Sequence, residues 1–138
     1  MMAQQLSSPG MGSPGGYQNL KAWQKAMDLA EIIFTLTQAW PAVERYRLTD
    51  QILRAVVSVP ANIAEGQGRT GPRELLHHLS IANGSLHEVE THLHLARRFG
   101  YLDDSQLRAP IALSQEVGRL IGGLKRSLRA DHAPVSRP

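Results

Sequence analysis

His87, Glu88, Glu90, His92 and His94 lie close together in this chain and are the residue types that bind metal ions or move protons. Glu88 and His92, like Glu90 and His94, are four apart, so each pair shares one face of a helix, as ligands of a single ion would. Di-metal bundles draw on two Glu-x-x-His motifs and a glutamate from each of two other helices. This cluster contains no Glu-x-x-His. Leu86, Val89 and Leu93 take the inward positions of the same helix, which turns the acid and imidazole pairs to its flanking and outer faces. They read as solvated helix pairing, with no metal site. His77-His78 shows no partner pattern either.

A second polar group sits in the run Ser58-Val59-Pro60-Ala61-Asn62-Ile63-Ala64-Glu65-Gly66. Pro60 lacks an amide donor and clashes with the preceding turn, at about 3 kcal/mol in a helix interior. It leaves the Val56 carbonyl without its usual partner. Asn62 and Glu65, three apart, could form a polar site in the bundle or at its mouth. The structural alternative, which we favour, has Asn62 bonding a backbone group freed by Pro60 and Glu65 pairing with Arg69.

Gly84-Ser85 interrupts the strongest helical pattern, where glycine costs about 1 kcal/mol relative to alanine. Close approach of another helix is the expected compensation, with the Ser85 hydroxyl folded back onto the preceding turn. A mid-helix serine lacks the exposed strand-to-helix elbow of a nucleophile. No catalytic residue is assigned.

The chain has twelve arginines and three lysines for a formal charge of +3. Arg45, Arg47, Arg54, Arg69 and Arg73 surround the second helix. Arg97, Arg98, Arg108, Arg119, Lys125, Arg126 and Arg129 fall in the C-terminal half. Arginine's planar fork suits phosphate. The candidate nucleic-acid contacts are Arg54, Arg69, Arg73, Arg119, Lys125, Arg126 and Arg129. From Gly118 to Ala130 there is no acid, and cations late in a helix also stabilise its negative end. Both readings of that stripe stand.

Four helices must position these residues. The first spans about 20–39, with Trp23, Met27, Ala30, Phe34 and Thr37 as its stripe and Leu29, Ile32, Ile33 and Leu36 widening it. The second begins near a cap at Thr49-Asp50, faces inward through Ile52, Ala55, Val56, Val59 and Ile63, and stops at Gly66-Gln67-Gly68. The third opens at Pro72 and carries a heptad seam: Leu75, Leu79, Ala82, Leu86, Val89, Leu93 and Ala96. Gly100 ends it in the left-handed conformation. The fourth starts at Asp103-Asp104-Ser105, with Pro110 bending it or delaying its start. Short connections imply an all-α, up-down-up-down antiparallel four-helix bundle with a Pro-bent second helix. Residues 17–130 form the bundle, 1–16 a disordered leader and 131–138 a disordered tail.

At 138 residues the chain suits one domain. The absence of cysteine excludes disulfides and thiolate chemistry. No apolar run is long enough to cross a bilayer, no secretion signal is evident, and a cytoplasmic location is the default expectation.

Tyr17 to Ala26 and Leu48 to Ala55 look like the opening helices of a known family. Ser58 to Gly66 and Ile81-Ala82-Asn83-Gly84-Ser85-Leu86-His87-Glu88-Val89-Glu90 look like its signatures. Over about residues 17–128 the chain resembles the four-helix bundle proteins encoded in intervening sequences of bacterial 23S rRNA genes. The resemblance implies a homopentamer with no accepted enzymatic site and no cofactor. A related branch, accessory proteins of diversity-generating retroelements, forms basic pentamers that bind nucleic acid and a reverse transcriptase. Pro60, Asn62, Glu65, Gly66, Gly84 and Ser85 match the signature positions, as structural residues. The expected function is therefore non-enzymatic binding of RNA or DNA by an oligomer, with a protein-interaction scaffold as the competing class.

Overall fold

The computed structural model describes residues 16–131. Four α-helices account for most of them: α1 (Lys21–Thr37), α2 (Leu48–Gly68), α3 (Pro72–Arg98) and α4 (Asp104–Asp131). Short 3-10 turns occupy Tyr17–Asn19 and Ala42–Glu44, and there is no strand among the described residues. Of the expected leader only Gly16 is described, and of the expected tail only Asp131, which is the last residue of α4. The rest of both segments lies outside the described residues.

α1 packs on α2 and α4, and α3 packs on the same two helices, with the α2–α3 contact the most extensive. The heptad seam of α3 forms the centre: Leu79, Ala82, Leu86, Val89, Leu93 and Ala96 are buried. Ile52, Val56, Val59 and Ile63 meet it from α2, and Val117 and Ile121 from α4. Burying each such side chain stabilises the fold by about 1.5–3 kcal/mol.

On α1 the buried stripe differs from expectation. Ala22, Ala26, Leu29 and Ile33 face the core, whereas Met27 and Phe34 are 39% and 44% exposed. A helix apolar on several sides does not declare its inner face. Here the small alanines let α1 approach its neighbours, and the larger side chains turn out.

The helix ends show where local chemistry wins. Gly100 takes φ +82. The Tyr101 amide donates to the Ala96 carbonyl and the Gly100 amide to that of Arg97, the double closure of a Schellman motif. At the start of α4, Asp103 Oδ1 accepts the Gln106 amide at 2.9 Å, and Gln106 Oε1 accepts the Asp103 amide at 2.9 Å. This is a reciprocal capping box. α4 continues through a buried Pro110, so its start is not delayed.

The start of α2 departs from the expected Thr49-Asp50 cap. Glu44, in the preceding 3-10 turn, accepts the Leu48 amide at 3.2 Å. The far end falls within the expected Gly66-Gln67-Gly68 stop: α2 runs through Gly66 and ends at Gly68.

Candidate nucleic-acid interface

The signature residues build a polar seam between α2 and α3. Asn62 Nδ2 donates to the Ser58 carbonyl and hydroxyl at 2.9 and 3.0 Å. With its nitrogen so committed, Asn62 presents its oxygen to His78 Nδ1, 3.0 Å away. That geometry makes Nδ1–H the donor. Ser85 Oγ donates to Ser58 Oγ at 2.9 Å, joining the two helices again. Asn62 thus serves its own preceding turn and a buried histidine, and the expected contact with the Val56 carbonyl freed by Pro60 is replaced by these. Ser85 likewise reaches across to α2 in place of its own preceding turn. His78 and Ser58 were not singled out from the sequence, because their partners are 16 and 27 positions away.

Gly66 holds this seam closed. A Cβ there would stand 2.7 Å from His78 Cβ and 3.0 Å from Leu75 Cδ1. Its task is close helix approach, and terminating α2 is not part of it. Gly84 is the reverse case. It is exposed, and an added Cβ would meet nothing within 4 Å, so the expected close neighbour is missing among the described residues. Glu65 pairs with Arg69 as expected, and this hydrogen bond holds the carboxyl below its ordinary value.

The imidazole and acid pairs of α3 separate. Glu90 turns to α4, where the buried Ser114 hydroxyl donates to its Oε2 at 2.6 Å. Burial pushes the His92 imidazole down from its ordinary value, with Glu88 opposing the shift, and His92 Nδ1 is buried without a hydrogen-bond partner among the described residues. The chain's one Glu-x-x-His, Glu74 to His77, is exposed at the start of α3. No group of three or more metal-ligating side chains could hold an ion among the described residues.

The candidate cations divide by pairing. Arg54 donates to Asp50 at 2.9 Å within α2, and Arg69, just past the end of α2, donates to Glu65. Arg73 is exposed at the first turn of α3. Arg119, Lys125, Arg126 and Arg129 on α4 form no ion pair among the described residues.

Two of these cations enter a groove between α3 and α4. One hollow of about 470 Å³ is lined by Asn83, His87 and Glu90 from α3 and by Ser114, Arg119 and Arg126 from α4. Its α4 wall includes Gly118 and Gly122, and the Arg126 guanidinium lies 3.4 Å from where a Gly122 Cβ would stand. A second hollow of about 370 Å³ is lined by His94, Arg108 and Ile111, and the two meet at Gln115. Arg108, Gln115, Arg119 and Arg126 share one helix face by their spacing of seven, four and seven. Arg54 lines a separate, smaller hollow over the α2–α3 seam. Lys125 and Arg129 lie outside the groove, while Arg108 joins it, a placement its spacing to Arg119 already signals.

The sequence profile described as 23S rRNA-intervening sequence protein matches residues 18–123. The chain belongs to this family. Its matched span takes in α1, α2, α3 and most of α4, including the polar seam and the groove as far as Gly122. A family relative of solved structure is described as a protein with unknown function from the S23 ribosomal protein family of Bacteroides thetaiotaomicron. It superposes with a TM-score of 0.70 at 25% identity, over 76% of this chain and 98% of that one. Among curated proteins none matches. No helix is long and apolar enough to cross a membrane among the described residues.

Proposed function

We propose that this member of the 23S rRNA-intervening sequence protein family is a non-enzymatic, homo-oligomeric binder of nucleic acid that works through the cations of α4. The observation that carries the reading is the contrast in pairing. Ion pairs engage Lys25, Arg47, Arg54, Arg69 and Arg97, while Arg119, Lys125, Arg126 and Arg129, all on one helix, form none among the described residues. Unpaired arginines are free to replace counterions along a phosphate backbone, and that release makes binding steeply dependent on salt. Titration against structured RNA and duplex DNA at several salt concentrations tests the reading. Affinity that falls as salt rises supports it, and affinity that is absent or insensitive to salt removes it.

In the full proposal the helices alternate up and down, α2 bends at Pro60, and the bundles assemble as a cytoplasmic pentamer. A reverse transcriptase is a partner by analogy with the retroelement branch. The exposed side chains Met27, Phe34, Val57 and Ile81 supply apolar surface for subunit contacts. That surface also favours the second reading, a protein-interaction scaffold without nucleic acid. Native mass spectrometry tests the assembly, and a monomer in dilute buffer counts against it.

A further inference from the structure

The α3–α4 groove is basic along one wall, yet two carboxylates line it: Asp104, which Arg97 pairs, and Glu90, which has no cationic partner among the described residues. Glu90 is fixed there by the Ser114 hydroxyl on Oε2, and its Oε1 accepts no hydrogen bond among the described residues. A surface that gripped only phosphates would be weakened by that charge. A ligand with a hydroxyl or amino donor next to each phosphate would pair with it, through a charge-assisted hydrogen bond.

The other lining groups narrow the ligand further. Arg119 and Arg126 lie two turns apart on α4, with Arg108 on the same face beyond Gln115. From Arg108 to Arg126 the helix rises about 27 Å, room for about eight stacked nucleotides of one strand at ~3.4 Å each. His87 and His94 line the α3 wall at matching spacing, and imidazole rings offer faces on which unpaired bases stack. The hollows between α3 and α4, about 470 and 370 Å³, are local recesses that suit unpaired bases and leave a duplex outside. Ribose places a 2′-hydroxyl, a donor that deoxyribose lacks, one bond from the backbone.

We propose that the α3–α4 groove binds single-stranded RNA: Arg108, Arg119 and Arg126 hold phosphates, His87 and His94 stack bases, and Glu90 Oε1 accepts a ribose 2′-hydroxyl. This rests on the nucleic-acid reading and assigns it a strand type, a sugar and a site. The carboxylate turns a salt-driven surface into one that distinguishes RNA from DNA.

Fluorescence anisotropy with oligouridylate, oligodeoxyuridylate of the same length and a matched RNA duplex provides the test. Oligouridylate binds most tightly, roughly 10- to 150-fold ahead of the deoxy strand, the range for one net hydrogen bond to a charged group. Arg119→Ala with Arg126→Ala weakens both single strands in parallel. Glu90→Ala brings the ribose-to-deoxyribose ratio close to unity while deoxy binding holds or improves. Glu90→Gln, which keeps an oxygen for Ser114, lowers the ratio by less and controls for any loss of packing in the alanine variant. Equal affinity for the two sugars, or discrimination that survives Glu90→Ala, overturns the sugar assignment. Duplex binding as tight as single-strand binding and indifferent to the arginine pair overturns the groove and leaves nucleic-acid binding standing. Failure to bind any of the three probes, with duplex DNA unbound too, overturns the parent reading as well.

Discussion

Tyr101 donates its phenolic hydroxyl to Glu44 Oε2 at 2.6 Å, tying the turn that follows α3 to the turn that precedes α2. Glu44 is only 3% exposed and also receives Arg47 and the Leu48 amide. One carboxylate therefore caps α2 and anchors the opposite loop. The hydrogen bond from Tyr101, then those from Arg47 and Leu48, hold the Glu44 carboxyl below its ordinary value against the opposing effect of burial, and the phenol of Tyr101 is raised in return.

This pairing predicts an acid limb of stability. A carboxyl depressed in the fold contributes stability that is fully present above the ordinary carboxylate range and is lost as pH falls through the folded value. Tyr101→Phe removes the largest cause of the depression. Its melting temperature falls by roughly 2–8 °C near neutral pH, and the difference from the parent shrinks as pH drops toward about 3. Thermal melts followed by circular dichroism across that range check both statements. A constant difference at every pH argues against the assignment to Glu44.

Gly66→Ala and Gly84→Ala move stability in opposite directions. At Gly66 the new methyl meets His78 Cβ at 2.7 Å, so the α2–α3 pair must separate, at a cost of about 1–3 kcal/mol. At Gly84 the methyl enters open space on an exposed helix face and stabilises by about 1 kcal/mol. Denaturant unfolding of the two variants gives the comparison directly. A Gly84→Ala protein that unfolds more easily, or changes its oligomer size, shows that another chain approaches that glycine in the assembly.

Asn62→Ala leaves the His78 Nδ1–H and the Ser58 hydroxyl without their shared partner. Stranding a buried donor costs about 1–3 kcal/mol, so stability or assembly fails ahead of any binding. Chemical denaturation set beside anisotropy on the same preparation separates the two effects. Lost binding at an unchanged melting temperature would make the seam a functional site.

The cation assignment predicts an asymmetry between α2 and α4. Arg119→Ala and Arg126→Ala each lower the slope of log affinity against log salt by about 1, as expected for loss of one phosphate contact. Arg54→Ala and Arg69→Ala change it less, because Asp50 and Glu65 already engage those guanidinium groups. Equal slopes across the four variants disperse the interface over the whole surface.

Several of these features were legible in the residues alone. The heptad seam of α3, the glycine that closes it and the start of α4 depend on neighbours within a turn or two, so their spacing states them. Glu65 and Arg69, four apart at the end of α2, were legible for the same reason. The inner face of α1 was not, because apolar residues surround it and only the neighbouring helices choose between Leu29 and Met27. Ser85 and Asn62 were visible as exceptions to helical patterning, but their partners were out of local reach.

The sequence by itself determined four helices, a family and the residues that strain the second and third of them, because periodicity, capping and proline chemistry act over a few residues. Only the tertiary structure decided that Gly66 makes room for His78, that Glu44 meets Tyr101, and that Arg108, Arg119 and Arg126 share a groove with Glu90. Those relationships follow from the register in which helices pack, and register depends on how whole side-chain surfaces fit together.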